Sequence, residues 1–285
     1  MAKLTKQQAK LHQQACDLLS KDALTEDEKF FVIKNWQESA SHINTVAGAF
    51  FTPYELARDF AIETFPGRVI DLCAGIGILS FAASMMHRWS QTPTSFTCVE
   101  INPDYVAVGK KLLPEATWIE ASVFDVLDMG LGHFDIAISN PPFGQVKRPE
   151  GKGAPRYTGG DFEYHVIDIA AHMASYGVFI LPQMSSGFKY SGSQHYQRDT
   201  DGRAVKFQDK TGIYLGPSCG IDTACYLNDW KGVSPMCEVV CCDFEEKEVE
   251  PVQVQAVAPV ADAKPDPKPV SPAPLGQLNL FGDAA

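Results

Sequence analysis

Five short apolar runs recur through the middle of the chain: RVIDLCA at 68–74, SFTCVEI at 95–101, ATWIEAS at 116–122, HFDIAISN at 133–140 and GVFILP at 177–182. Between them lie stretches with helical spacing, GIGILSFAASMMHRW, NPDYVAVGKKLL and EYHVIDIAAHMASY. Strands joined by crossover helices pair in parallel, and a parallel sheet needs helices on both faces. The alternation therefore predicts an α/β fold with a mostly parallel, doubly wound sheet. Residues 186–244 are less periodic and are expected to close the sheet with two antiparallel strands, near ACYLNDW and CEVVCCDF.

The flanks differ in kind. Residues 3–40 read as one or two amphipathic helices, with Leu11, Ala15, Leu18 and Leu19 at helical spacing. A polar break follows (ESASHINTVAG), and then Thr52 and Pro53 look like the N-cap and first residue of a helix through PYELARDFAIETF. Beyond residue 244 the composition turns to Pro, Ala, Val and charge, which cannot build a core and predicts a disordered linker. The last residues, LGQLNLFGDAA, are apolar again. The expected division is an N-terminal helical segment (1–45), a catalytic-sized α/β domain (46–244), a Pro/Ala-rich linker (245–274) and a terminal peptide (275–285).

Composition removes several classes of function. No run approaches the ~20 consecutive apolar residues of a membrane span. The polar start, MAKLTKQQAKLHQQACDLLSKD, is not a signal peptide, so a cytoplasmic location is expected. Of eight cysteines, five fall between Cys219 and Cys242 without the paired spacing of zinc sites, so reduced and mostly buried thiols are expected and no metal. The net charge of −11 is unevenly spread: residues 243–285 hold −5 of it. Within 145–160 the sign reverses, with Lys147, Arg148, Lys152 and Arg156 against Glu150 alone. A local basic loop can serve a polyanionic substrate on an acidic protein.

Three short stretches carry chemistry. In DLCAGIGILS, Asp71 ends a strand and Ala74, Gly75 and Gly77 follow in a turn where a ligand can approach the backbone. Its D-x-x-x-G-x-G spacing is not the G-x-G-x-x-G of dinucleotide sites. In CVEIN, Glu100 ends the next strand, where a carboxylate can accept from both hydroxyls of a ribose. In ISNPPFGQ, Asn140 precedes two prolines and a ring, a stiffened turn at the end of a strand.

Together DLCAGIG, VEIN and SNPPFG resemble the class I S-adenosylmethionine-dependent methyltransferases, over residues 46–185, and within them the amino-methyltransferases of the N6-adenine type. The resemblance implies the Rossmann-like fold of that class. It also implies that Asp71 and its glycines cradle the methionine part of S-adenosylmethionine, that Glu100 holds the ribose, and that Ile101 packs on the adenine. Ala121 stands where an acid often meets the cofactor's adenine amine, leaving Asp125 or the Ser122 backbone for that contact. GAFFTPYELA resembles the family segment covering the cofactor, with Thr52 and Pro53 carrying the match and Phe50 or Phe51 as apolar contacts.

The adenine amine is a poor nucleophile because its lone pair is delocalised into the ring. Two acceptors at its N–H bonds, the Asn140 side-chain carbonyl and the Pro141 backbone carbonyl, localise that pair. Proline fixes φ and confines the residue before it, so Pro141 and Pro142 hold the acceptors before substrate arrives. Phe143 would stack on the target base, a contact worth ~1–3 kcal/mol in nucleic-acid sites. Lys147, Arg148, Lys152 and Arg156 are expected on phosphates, with Tyr157 stacking or wedging. Adenine in DNA, adenine in RNA and a protein glutamine amide share this kind of site, and an inactive DNA-associated adaptor is the non-enzymatic alternative. GAFFTPYELA leans toward DNA, and the short C-terminal part predicts a short or loose sequence preference.

The terminal peptide bears on the same choice. Gln277-Leu278-Asn279-Leu280-Phe281 resembles the bacterial sliding-clamp-binding pentapeptide. The resemblance implies that Leu280 and Phe281 fill an apolar pocket of the clamp, with Leu278 beside them and Gln277 on its polar rim. A clamp partner would deliver the chain to replicating DNA.

Overall fold

The computed structural model describes residues 4–37 and 50–245. The terminal peptide, and the linker beyond Glu245, lie outside the described residues.

Two helices open the chain, α1 (Lys6–Leu19) and α2 (Glu26–Asn35). Each starts at a threonine whose hydroxyl accepts from a backbone N–H three residues on, while Gln8 or Glu28 reaches back to the cap. Such reciprocal boxes satisfy donors that a helix start leaves unpaired. Helix α3 (Tyr54–Phe60) follows, with Pro53 as its N-cap and no side-chain cap bond. Thr52 is thus not the cap expected from the sequence, because its hydroxyl is engaged elsewhere, as described below.

The α/β part runs β1 (Arg68–Leu72), α4 (Ile78–His87), β2 (Ser95–Glu100), α5 (Pro103–Leu112), β3 (Thr117–Glu120), β4 (Phe134–Ser139), α6 (Phe162–Ala170) and β5 (Ala174–Pro182). Then come the short β6 (Phe188–Lys189) and β7 (Gln197–Arg198), α7 (Arg203–Thr211), β8 (Gly216–Pro217) and β9 (Cys237–Asp243). The main sheet has the order β3-β2-β1-β4-β5-β9-β8. Strands β1 to β5 pair in parallel, and β9 lies antiparallel to β5 and to β8. This is a Rossmann-like, doubly wound α/β architecture, with the antiparallel edge expected.

Strand residues alternate between the two faces, as the period of two requires. Val69, Ile136, Ile138, Val178 and Ile180 join α1 to α4 in one apolar cluster. Ile70, Leu72, Ala137, Phe179 and Leu181 join α6 and α7 residues in the other. The N-terminal helices belong to the first cluster through Ala15, Val32, Ile33 and Trp36.

One expected strand is absent. ACYLNDW instead forms a 3-10 turn, Thr223–Tyr226. Asp222 caps it by accepting from Ala224 N–H, and the Thr223 hydroxyl donates to Cys237 O, so side chains spend the hydrogen bonds a strand would need. Its place beside β9 is taken by Gly216–Pro217. Cys237, Cys241 and Cys242 are buried in or at the start of β9, while Cys219 and Cys225 are exposed, so that group is mostly buried, as expected, and all five are free thiols. Among the described residues no group of three or more His, Cys, Asp or Glu is placed to hold a metal ion, and no helix is long and apolar enough to cross a membrane.

The strand order reverses between β1 and β4: β2 and β3 extend to one side, β5 to the other. In open α/β sheets ligands bind in the crevice outside the strand ends at such a switch point. Asp71 pairs with Ile138 across that boundary, and the Ser139 hydroxyl donates to Leu72 O. DLCAGIG and NPPF are therefore brought to one crevice.

Candidate active site

The crevice is a cleft of about 520 Å³. On its floor Asp71 is 1% exposed and accepts from the Ser80 hydroxyl of α4 at 2.7 Å through Oδ2. Its other oxygen, Oδ1, is buried with no hydrogen-bond partner among the described residues. Burial pushes the Asp71 carboxyl up to about 7, against the pull of the Ser80 bonds and with a smaller push from Glu100.

Above it the chain turns through Cys73, Gly75 and Gly77, all at positive φ. Gly75 N–H donates to Glu100 Oε2 at 2.8 Å, and Asn102 N–H donates to Glu100 Oε1 at 2.8 Å. Asn102 in turn caps α5 ahead of Pro103, so the NP dipeptide both starts the helix and aims the carboxylate. Burial raises the Glu100 pKa and these backbone donors oppose it. A carboxylate has about four acceptor sites; with each oxygen taking one N–H, Glu100 keeps capacity for vicinal hydroxyls in the cleft. Ile101 stands 65% exposed at the rim, an apolar side chain open to a flat ring.

Phe50, Phe51 and Thr52 form one wall. Phe51 stacks on Trp36 at 5.8 Å and meets Tyr105 edge-on at 5.0 Å, so the N-terminal segment buttresses the cleft. Ala121, Ser122, Phe124, Val146 and Phe162 also line the cleft, and of these Phe124, Val146 and Phe162 were not marked in the sequence. Ser122 is thus on the cleft, while Asp125 lies outside its lining and pairs with Lys152 at 3.0 Å. Ala74 and Gly75 line it too, but Pro53 and Gly77 do not. Pro53 starts α3. Gly77 has φ +80° and a Cβ there would sit 2.9 Å from the Trp118 ring, so this glycine serves helix–strand packing rather than ligand approach.

Asn140 follows β4 directly. Its Nδ2 donates to Phe50 O at 3.0 Å and to Thr52 Oγ1 at 2.9 Å. Two acceptors on one side fix which end of the amide is which. Oδ1 is left buried and without a partner among the described residues, and Asn140 lines the same cleft as Asp71 and Glu100. Buried polar atoms are almost always paired, and an orphan costs ~1–3 kcal/mol. A free acceptor held at that cost marks a place where a donor arrives. Pro142 lines the cleft; Pro141 is buried, and Phe143 is half-buried against the α4-side cluster.

The basic loop divides sharply. Arg156 is locked to Asp168 of α6: its backbone N–H and Nε donate to that fully buried carboxylate at 2.6 and 2.7 Å, and Nη1 to Thr211 O. Tyr157, expected to stack or wedge on substrate, is 9% exposed and boxed by the rings of Tyr164, His165 and Phe207. Asp168 draws both backbones inward, which buries the Tyr157 ring and leaves Arg156 partly exposed. Lys152 is spent on Asp125 and Asp128. Lys147 has no ion-pair or hydrogen-bond partner among the described residues, and Arg148 lies 2.6 Å from the His165 imidazole with no carboxylate within ion-pair distance.

Residues 55–152 match the family model described as the methyltransferase small domain. No curated protein matches the chain. Among solved structures, a Listeria monocytogenes protein described as a class I S-adenosylmethionine-dependent methyltransferase aligns with TM-score 0.51 at 11% identity, covering 88% of this chain and 84% of that one. A Pyrococcus horikoshii protein described as an RNA methyltransferase aligns with TM-score 0.45 at 14% identity, covering 81% and 97%. The methyltransferase subunit of a type I restriction-modification system from Streptococcus thermophilus aligns with TM-score 0.49 at 14% identity, covering 79% of this chain and 51% of that one. The matched methyltransferase domain implies S-adenosylmethionine as the cofactor. The residues present fit it: an orphan buried carboxylate oxygen for a cationic group, a half-committed carboxylate for a ribose, and an exposed isoleucine for a ring.

Proposed function

We propose that this protein methylates the N6 amine of adenine in DNA, on a base flipped out of the helix into the cleft beside Asn140. The observation that carries this reading is the orphan Oδ1 of Asn140, a buried acceptor pinned in place by its own amide nitrogen on a residue that lines the cleft. S-adenosylmethionine supplies a methyl group on a sulfonium, which needs only a nucleophile with a localised lone pair. Asp71, Gly75, Glu100, Ile101 and Ser122 hold the cofactor. Asn140 Oδ1 and the Pro141 carbonyl accept from the two N–H bonds of the amine, drawing its nitrogen toward tetrahedral geometry. Phe143 supplies a stacking face. No base is needed before transfer, since the proton leaves afterwards, and the catalysis is positioning.

DNA is favoured over RNA by the terminal Gln277–Phe281 peptide, read as a sliding-clamp ligand on a long tether, which raises local enzyme concentration on clamp-loaded DNA. Incubation with labelled cofactor and, separately, duplex DNA, single-stranded DNA, RNA and protein tests the choice. Label at N6 of adenine in DNA is the expected result, and incorporation only into RNA or protein refutes it. Deleting residues 276–285 is expected to abolish clamp binding while methylation of short oligonucleotides stays at the full-length rate.

The sorted basic loop gives a further expectation. Lys147→Ala and Arg148→Ala should each weaken duplex binding evenly across sequences and lower the log–log salt slope by about 1. Lys152→Ala should lower the slope less than either, because that ammonium also pairs with Asp125 at 3.0 Å. Titrations at several salt concentrations read this directly.

A further inference from the structure

The Asn140–Phe143 turn is gripped at both ends, at its entry by Phe50 and Thr52 and at its exit by α6. At the exit, Gly144 N–H donates to Glu163 Oε2 at 2.8 Å, and Gly144 O accepts from Phe162 N–H at 2.8 Å. Glu163 is fully buried in the first turn of α6. The N-cap of that helix, Asp161, makes no side-chain cap bond, so the helix start is capped from outside, by the carbonyl of Gly144. Gly144 has φ +75° with nothing within 4 Å of a Cβ position, so the backbone path, not space, demands glycine. The second oxygen of Glu163 accepts from the Ser185 hydroxyl at 2.8 Å, and Tyr164 of the same helix donates to Ser185 O. One buried carboxylate thus joins the turn after β4 to the turn after β5.

A carboxylate in this place is not needed to fill the core. Burial raises its pKa, and the bonds from Gly144 N–H and the Ser185 hydroxyl oppose that rise. Nor does it line the cofactor cleft. From these contacts we propose that Glu163 is a positioning residue for methyl transfer: it fixes the exit of the Asn140–Phe143 turn, so that the Pro141 carbonyl and the Phe143 ring stay aligned with the Asn140 acceptor. The proposal rests on the reading that this turn carries the chemistry. Asn140 is set by Phe50 and Thr52, and Gly144 by Glu163 and Phe162; the two prolines between transmit both constraints stiffly. Misplacement of reacting groups by about 1 Å costs on the order of 10²-fold in rate, which bounds what loss of one grip can do.

The test compares Glu163→Ala, Glu163→Gln, Ser185→Ala and Gly144→Ala in the full-length protein. The acceptor is whichever of the four classes the wild type labels, with Asn140→Ala in parallel. Glu163→Ala is expected to lower kcat about tenfold to hundredfold, with cofactor affinity, measured by calorimetry, and KM little changed. Glutamine keeps a carbonyl for Gly144 N–H and should recover most of that loss. Gly144→Ala should act like Glu163→Ala, whereas Ser185→Ala, which leaves the Gly144 bond intact, should do much less. The proposal is overturned if Glu163→Ala keeps full kcat, if its kcat and cofactor affinity fall in proportion, or if glutamine fails to rescue. If the wild type labels RNA or protein, the proposed substrate is wrong while the Glu163 comparison still stands. If Asn140→Ala is fully active, the turn does not carry the chemistry and Glu163 has nothing to position. Should Glu163→Ala not fold, glutamine and Gly144→Ala still decide: wild-type kcat in Gly144→Ala, or an alanine-like collapse in a folded Glu163→Gln, sinks the idea.

Discussion

Replacing Asn140 with alanine is expected to lower methyl transfer by about 10²–10³-fold, the scale seen when one preorganised polar group is removed from a reacting centre. Cofactor affinity should change little, because Asp71 and Glu100 keep their own supports in Ser80, Gly75 and Asn102. Stability should hardly move. The variant loses two hydrogen bonds, to Phe50 O and Thr52 Oγ1, but it also removes a buried acceptor with no partner. A side chain that matters greatly for rate and little for melting temperature is one kept for function. Asn140→Asp should be as inactive for another reason: it sets a carboxylate oxygen against the Phe50 carbonyl, so the group turns away or protonates. Thr52→Val, which removes one of the two anchors and keeps the shape, should cost less than either. Single-turnover rates with saturating cofactor, read beside thermal melts, separate these cases. A folded Asn140→Ala with unchanged rate would falsify the acceptor mechanism.

What could be read ahead of the structure was what local chemistry decides. Alternating apolar positions in β1, β4 and β5 divide between the two clusters as their spacing requires, with Val69 on one face and Ile70 on the other. Asp71, Glu100 and Asn140 were legible because a polar residue at the end of an apolar strand has few uses. The failures were long-range. A basic loop containing Arg156 and Tyr157 looks the same whether it is solvated or drawn inward. The deciding group, Asp168, lies eleven and twelve residues on, in α6. Glycine at 77 signals a close approach without saying that the neighbour is Trp118. Asp125 was read as a cofactor contact and Lys152 as a phosphate contact, and the fold sets the two beside each other as an exposed pair at 3.0 Å. Glu163 gave no signal at all, since only the tertiary fold sets α6 against Gly144.

Cofactor binding should strengthen with rising pH and level off near neutrality, because the Asp71 carboxyl is pushed up to about 7 by burial. The physical cause is that Ser80 serves only one of its oxygens while the other has no partner, so the charged form is under-solvated in the free protein. Against Oδ1 a cationic group of S-adenosylmethionine favours the carboxylate, so binding releases a proton wherever the free site holds one. Affinity should then rise about tenfold per pH unit below the pKa of a single linked group and become flat above it. The sign for the unliganded fold is opposite. A carboxyl whose folded pKa is raised binds protons that the unfolded chain has already lost. Its contribution to stability is therefore full at pH values below the ordinary carboxylate range and falls as pH rises toward about 7. Calorimetry from pH 5.5 to 8 in buffers of different ionisation enthalpy measures both affinity and proton release. Asp71→Asn should flatten the affinity profile and abolish the released proton, with weaker binding at pH 8, where the wild type is charged. It should also remove this group's part of the pH dependence of melting. Proton release that persists in the asparagine variant would assign the linkage to another group, with Glu100, the other buried carboxyl on the cleft, the first to replace. The two profiles must move in opposite directions for the same reason: the fold leaves Asp71 an oxygen without a donor, and a cationic group in the cleft satisfies it only when the carboxyl is ionised.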